Sequence, residues 1–169
     1  MARCLIIGCG CRGRSLATEL IARGHAVRGT TRDAARAPAI EASGAEAFVG
    51  DPDVISTLAR ALEHVTVVIV LLGSAAGPRE RLAALHGTRL EMLLTRMIDT
   101  TVRGVVYEAA GSVDPELLAA GAAHVRSVCE DSRIPYGLLS ADGGDAAAWV
   151  AAAVAAVERT LDGVSQGPR

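Results

Sequence analysis

The run VTVVIVLL, Val65 to Leu72, is apolar on both of its alternating faces. A strand with one wet face alternates apolar and polar residues, so a run of this kind needs cover above and below. A central strand of a parallel sheet with helices on both faces meets that need. The segment CLIIG, Cys4 to Gly8, has the same character. Short apolar, β-branched runs alternate with stretches of helical period along the rest of the chain. The sequence therefore predicts strands over 3–7, 26–31, 46–49, 65–72, 103–108 and 135–140. The implied fold class is α/β, a single three-layer doubly wound domain with about six mainly parallel strands. A chain of 169 residues has room for one such core, read as 1–162, with 163–169 as a loose tail.

Helix signals fall between the strands. Leu16, Ala17, Leu20 and Ile21 form one apolar face, and Gly24 is a natural left-handed stop. Asp51-Pro52 and Asp114-Pro115 each place a capping carboxylate before a proline suited to the first helical position, so helices are expected at both. Val150, Val154, Val157 and Leu161 give a last helix its packing stripe, with Trp149 beside it. Leu82, Leu85, Leu90, Leu93, Leu94 and Met97 run along a helical region that Gly87 interrupts. That stripe is rich enough to propose a homodimer face beside its share of the core.

Charge and composition remove several function classes. A net charge of −2 with scattered arginines offers no field for nucleic acid. No apolar run reaches the roughly 20 residues of a membrane span, and the first residues lack a secretory cleavage pattern, so a cytoplasmic location is expected. Cys4, Cys9 and Cys11 crowd into one strand and loop, where they cannot staple distant segments, so reduced thiols are expected and no metal site is read. All 17 basic residues are arginine. Any mechanism that needs a lysine amine is therefore excluded.

The first strand runs into Gly8, Gly10 and Gly13, spaced G-x-G-x-x-G, and then into a helix. In such a turn the first glycine permits the bend, the second lets a diphosphate approach the backbone, and the third allows close packing of helix on strand. The helix N-terminus then faces the anion. Gly8, Gly10, Cys11, Arg12 and Gly13 are the candidate cradle for a nicotinamide dinucleotide. At the end of the second strand, NAD-binding versions carry an acidic residue for the ribose hydroxyls, whereas NADP versions need a cation for the 2′-phosphate. Thr31 and Arg32 stand there, a hydroxyl and then a guanidinium able to fork onto phosphate oxygens. NADP (NADPH) is thus preferred over NAD, with Arg12 and Thr30 as further contacts. Asp33 is read as a helix cap.

These segments, taken in order with GDPD at Gly50, VTVVIVLLGS ending at Ser74, HGTRLEMLL from His86 and RGVVYEAAGS from Arg103, resemble the short-chain dehydrogenase/reductase superfamily. The likeness is to its atypical, epimerase-like and NmrA-like branches, and it covers roughly residues 3 to 140. The resemblance implies a Rossmann fold and further cofactor contacts at Asp51, near the adenine, and at Leu72 and Gly73. It does not carry catalysis across. Family enzymes commonly use a Tyr-x-x-x-Lys pair in which lysine lowers the tyrosine pKa, and this chain has no lysine.

The weak candidates for chemistry are Glu108 and Ser112, with Ser74 and His86 nearby in sequence terms. Glu108 could exchange protons if burial raised its pKa, but a solvated or helix-capping glutamate is the plainer expectation. His86 reads as a surface or packing residue. Cys9 and Cys11, at a helix start where thiol pKa values fall, read as small loop fillers, with Cys4 and Cys129 buried. Two functions remain: an NADPH-dependent reductase of a small acceptor, or a non-catalytic NADP(H)-sensing module that binds a partner.

Overall fold

The computed structural model describes residues 1–165. Six strands, β1 (Arg3–Ile7), β2 (Ala26–Thr31), β3 (Glu46–Val49), β4 (Val67–Val70), β5 (Gly104–Glu108) and β6 (Tyr136–Leu139), form one sheet. Their order is β3-β2-β1-β4-β5-β6, and every neighbouring pair is parallel. The helices are α1 (Cys11–Ala22), α2 (Ala37–Glu41), α3 (Arg79–His86), α4 (Thr88–Ile98), α5 (Pro115–Asp131) and α6 (Ala146–Ser165). The chain leaves β1 toward β2 and β3, then returns to the other side of β1 for β4, β5 and β6. The order of strands therefore reverses between β1 and β4, and a crevice opens at their carboxyl ends.

The two strands that read as apolar on both faces are these central neighbours, with Cys4 opposite Val67 and Ile7 opposite Val70. Their alternation divides the core. Cys4, Ile6, Val67 and Ile69 face α1 and α6, packing on Leu16, Leu20, Trp149, Val154 and Val157. Leu5, Ile7, Val68 and Val70 face the other layer, with Leu90, Leu93, Leu94, Met97 and Val125. Of the leucine stripe, Leu85, Leu90, Leu93, Leu94 and Met97 are buried in the core and Leu82 is half-buried. Burial of each such side chain contributes about 1.5–3 kcal/mol, and the sheet already claims them.

Several boundaries move. Gly87 does break the long helical region, separating α3 from α4. Asp114 caps α5, its side chain accepting from the Glu116 amide. Asp51-Pro52 opens no α-helix; its carboxylate accepts from the Asp53 amide in a tight turn, and only two short 3-10 turns, Ile55–Leu58 and Arg60–Leu62, follow. The helix α6 continues to Ser165, into the segment expected as a loose tail, of which residues 166–169 lie outside the described ones. Strand β4 is shorter than the apolar run, because Leu71 and Leu72 already turn into the crevice wall. No helix among the described residues is long and apolar enough to cross a membrane.

Candidate functional site

The crevice at the strand ends has a volume of about 520 Å³. Gly8, Gly10, Cys11, Arg12 and Gly13 line its floor, Thr31, Arg32 and Arg36 its β2 end, and Leu72, Ser74, Glu108 and Trp149 its β4–β5 end. The loop is built for close approach. Gly8 has φ +81, and a Cβ there would lie 2.6 Å from the Leu71 carbonyl oxygen, so only glycine fits between β1 and β4. Gly10 differs: a Cβ there would meet no protein atom within 4 Å. Packing does not explain that bareness, whereas a diphosphate lying on the backbone does. The start of α1 has no side-chain cap and no acidic residue in its first turn, so its amides face the crevice without an anion of the protein's own. The loop fits a dinucleotide diphosphate.

At the β2 end, Thr30 is buried and accepts from the Gly8 amide, tying the second strand to the loop. The Thr31 hydroxyl donates to the Asp33 carbonyl, and the Asp33 carboxylate accepts from the Ala35 amide, the capping role expected of it. Arg32 is half exposed and lies 4.0 Å from Asp53 Oδ2, whose closer partner is Arg81 at 2.6 Å. Arg36, which the sequence reading did not single out, joins Arg32 on the wall. It sits on the first turn after β2, a position that motif spacing does not flag.

The β4–β5 end is arranged differently. Glu108 is 1% exposed, so it is neither solvated nor a helix cap. Its Oε2 accepts from the Gly73 amide at 2.9 Å, and its Oε1 lies 3.0 Å from Arg12 Nη2. Arg12 also donates to Ser74 Oγ at 3.1 Å and stacks 4.7 Å above the Trp149 ring. Burial pushes the Glu108 carboxyl up, opposed by the Gly73 amide, the Arg12 guanidinium and the Trp149 indole. Arg12 is thus turned toward β5 and away from Arg32. Gly73 is withdrawn from the crevice wall: its amide serves Glu108 and its carbonyl accepts from Val113. Asp51 keeps its carboxylate in its own turn, leaving Gly50 and Pro52 on the wall. Ser112 is exposed, with its amide 3.4 Å from Ser74 Oγ.

Neither tyrosine reaches the crevice. Tyr107 is fully buried and donates to His86 Nδ1 at 2.7 Å, while Tyr136 donates to Glu130. His86 is buried rather than on the surface. Its Nε2 donates to the Leu72 carbonyl at 3.1 Å, which holds the crevice wall from behind. Cys9 is buried and its thiol is pushed up to about 11 by desolvation, against the expectation for a helix start. Cys4 and Cys129 are buried as expected, and Cys11 is exposed. Among the described residues, no group of three or more His, Cys, Asp or Glu could hold a metal ion. Trp149, which the sequence placed beside a packing stripe, is the residue whose site role was missed; Arg12, four residues before the buried Leu16, brings it there through α1 and α6.

A doubly wound parallel sheet with a bare glycine loop at its switch point defines a dinucleotide-binding Rossmann protein. A family model described as NAD(P)H-binding matches residues 8–143, and the chain belongs to that family. No curated protein matches the sequence. A short-chain dehydrogenase/reductase superfamily protein from Agrobacterium tumefaciens with bound NAD is similar, with a TM-score of 0.68 and 20% identity over 82% of this chain and 48% of that one. The Citrobacter sp. triphenylmethane reductase complexed with NADP(H) is similar at 0.61 and 19%, over 81% and 48%. Vestitone reductase from alfalfa is similar at 0.61 and 17%, over 83% and 56%. The fold is shared with all three. This chain spans about half the length of the Agrobacterium and Citrobacter proteins.

Proposed function

We propose that this chain binds NADP(H) in preference to NAD(H) and serves as a reductase of a small acceptor, with the bound cofactor supplying hydride. The observation that carries the reading is the pairing of the bare loop at Gly10 with two guanidinium groups, Arg32 and Arg36, on the crevice wall at the β2 end. The loop amides and the start of α1 hold the diphosphate, and Arg32, with Arg36 behind it, receives the 2′-phosphate. Leu71 and Leu72 exclude water from the far side of the crevice. Glu108, the buried carboxyl on that wall, holds a proton more firmly than a solvated glutamate does.

Fluorescence titration of NADPH and NADH tests the preference. Arg32→Ala is expected to reduce the NADPH preference by about tenfold or more, the usual scale of a charge-assisted hydrogen bond. Equal binding of both coenzymes by the unaltered protein overturns the NADP reading. Offering flavins, quinones and aldehydes to the NADPH-loaded protein tests the reductase reading through consumption of NADPH.

A second reading, a non-catalytic NADP(H)-sensing module, is favoured by the polar groups at the β4–β5 end being engaged with one another, and by both tyrosines lying elsewhere. Tight NADPH binding with no turnover of the whole acceptor panel selects it.

A further inference from the structure

We infer that the open edge of β6 is the contact surface for a second copy of this chain, which pairs its own β6 antiparallel across a two-fold axis at Gly137 and joins the two sheets into one. Neither the coenzyme nor any crevice residue takes part.

Strand β6 ends the sheet, and among the described residues no strand pairs with its outer side. The Pro135 carbonyl accepts from the Val105 amide and the Leu139 carbonyl from the Ala109 amide, so the backbone groups of residues 135, 137 and 139 turn inward to β5. Direction alternates along a strand, and the N–H and C=O groups of Tyr136 and Leu138 therefore point out of the sheet. Helix α5 packs on β6 from one face and α6 from the other, yet Tyr136, Gly137 and Leu138 all keep exposed surface. A hollow of about 440 Å³, bounded by Glu130, Tyr136, Gly137 and Arg159, opens at this edge between the two helices.

A free row of backbone groups templates another strand, and natural edges are commonly blunted by charge. The opposite edge of the sheet is blunted in that way, since β3 begins with Glu46, which pairs with Arg3 and Arg28. Tyr136 to Leu139 carry no charge.

The hydrogen-bonding pattern selects the occupant. With Gly137 on a two-fold axis, Tyr136 of one copy stands opposite Leu138 of the other, and each outward N–H meets an outward C=O. Glycine at the axis leaves no side chain where the two strands approach most closely.

Charge agrees with the same axis. The Tyr136 hydroxyl donates to Glu130 Oε1 at 2.8 Å, and Arg126, one turn earlier on α5, lies beside that hydroxyl. His124 faces the other way, toward Glu91 of α4, so Arg126 and Glu130 occupy the side of α5 next to the open edge. Both are exposed. In the two-fold pair α5 runs antiparallel to its copy, and Arg126 of each chain faces Glu130 of the other. An unrelated extended segment would meet the backbone groups without this reciprocal pairing of charge. Arg159, on the opposite face, is exposed, and its long side chain keeps its charge in water.

Sedimentation velocity on the full chain, from about 1 μM to about 1 mM, should show a monomer–dimer equilibrium. Arg126→Glu and Glu130→Arg each set like charges opposite one another, and each change counts twice across the axis, so either should weaken the dimer about tenfold or more. The double variant Arg126→Glu/Glu130→Arg restores the pairs with their signs exchanged and should return to within about threefold of the unaltered protein. Melting temperatures check that each variant remains folded. Amide hydrogen exchange reads the strand itself: the Tyr136 and Leu138 amides should slow as concentration rises. Those of Ala47 and Val49, which point outward on β3 by the same alternation, should not.

A chain that stays monomeric over the whole range overturns the proposal. So does a dimer that is indifferent to all three charge variants, or one that leaves the Tyr136 and Leu138 amides exchanging as fast as in the monomer, because either associates through another surface.

Discussion

The two ends of the crevice use arginine in opposite ways. At the β2 end, Arg32 has a side chain 54% exposed and a nearest acidic atom at 4.0 Å, already shared with Arg81. An ion pair of that kind in water contributes little to stability. At the β4–β5 end, Arg12 lies against a carboxylate that is almost fully buried, over an indole, and on a serine hydroxyl. There the charge belongs to the fold, because an unpaired Glu108 would sit in a low-dielectric wall. The first end leaves its guanidinium exposed to solvent, and the second is closed by internal partners. A ligand gains the first for free and must displace something to gain the second.

Substitution at the closed end should disturb folding most. Glu108→Ala leaves the Gly73 amide unpaired inside the wall and frees Arg12, and is expected to cost about 2 kcal/mol. That corresponds to a drop in melting temperature of about 4–8 °C for a domain of this size. A melting temperature that does not move would show that the cluster is not part of the scaffold and would erase the contrast between the ends.

His86 sharpens the same comparison from behind the wall. Burial holds its pKa below the ordinary 6.5, against the Leu72 carbonyl, which accepts from Nε2 and acts to raise it; Nδ1 accepts from the Tyr107 hydroxyl. The unfolded chain binds this proton more readily than the folded one. The stabilisation is therefore present above pH 6.5 and is lost as pH falls through the folded-state value. His86→Phe should cost about 1 kcal/mol at neutral pH through the unpaired Tyr107 hydroxyl, and should flatten the acid side of the stability profile in chemical denaturation. An acid limb identical to that of the unaltered protein would remove His86 from the support of Leu72.

The smallest expected effect is at the open end. Arg32→Ala should leave stability within about 0.5 kcal/mol, as surface substitutions do, even as it alters the coenzyme preference. A large loss of stability would show that Arg32 is part of the scaffold and that the two ends are more alike than their exposures indicate.

Much of this was legible before any coordinates. Val65 to Leu72 and Cys4 to Gly8 announced two central strands because a run apolar on both faces has one comfortable place in a sheet. Gly8, Gly10 and Gly13 announced the loop because the turn, the open approach and the close packing each require glycine at a fixed spacing. The leucine stripe of α3 and α4 read as partly surplus because periodicity shows which residues share a face, not what that face meets. Asp51-Pro52 read as a helix start because a cap and a proline are local signals, and the chain there tightens into 3-10 turns instead.

The sequence by itself determined the layer arrangement, the order of glycines and the guanidinium at the end of the second strand, since each depends on residues within about one βαβ unit. Only the tertiary structure decided what surrounds Glu108. Arg12, Ser74, Glu108 and Trp149 come from four separate segments, brought together by the sheet and by the packing of α6 on α1. The burial of a carboxyl, the engagement of a guanidinium and the placing of an indole beside both are properties of that meeting. No stretch of chain carries them alone.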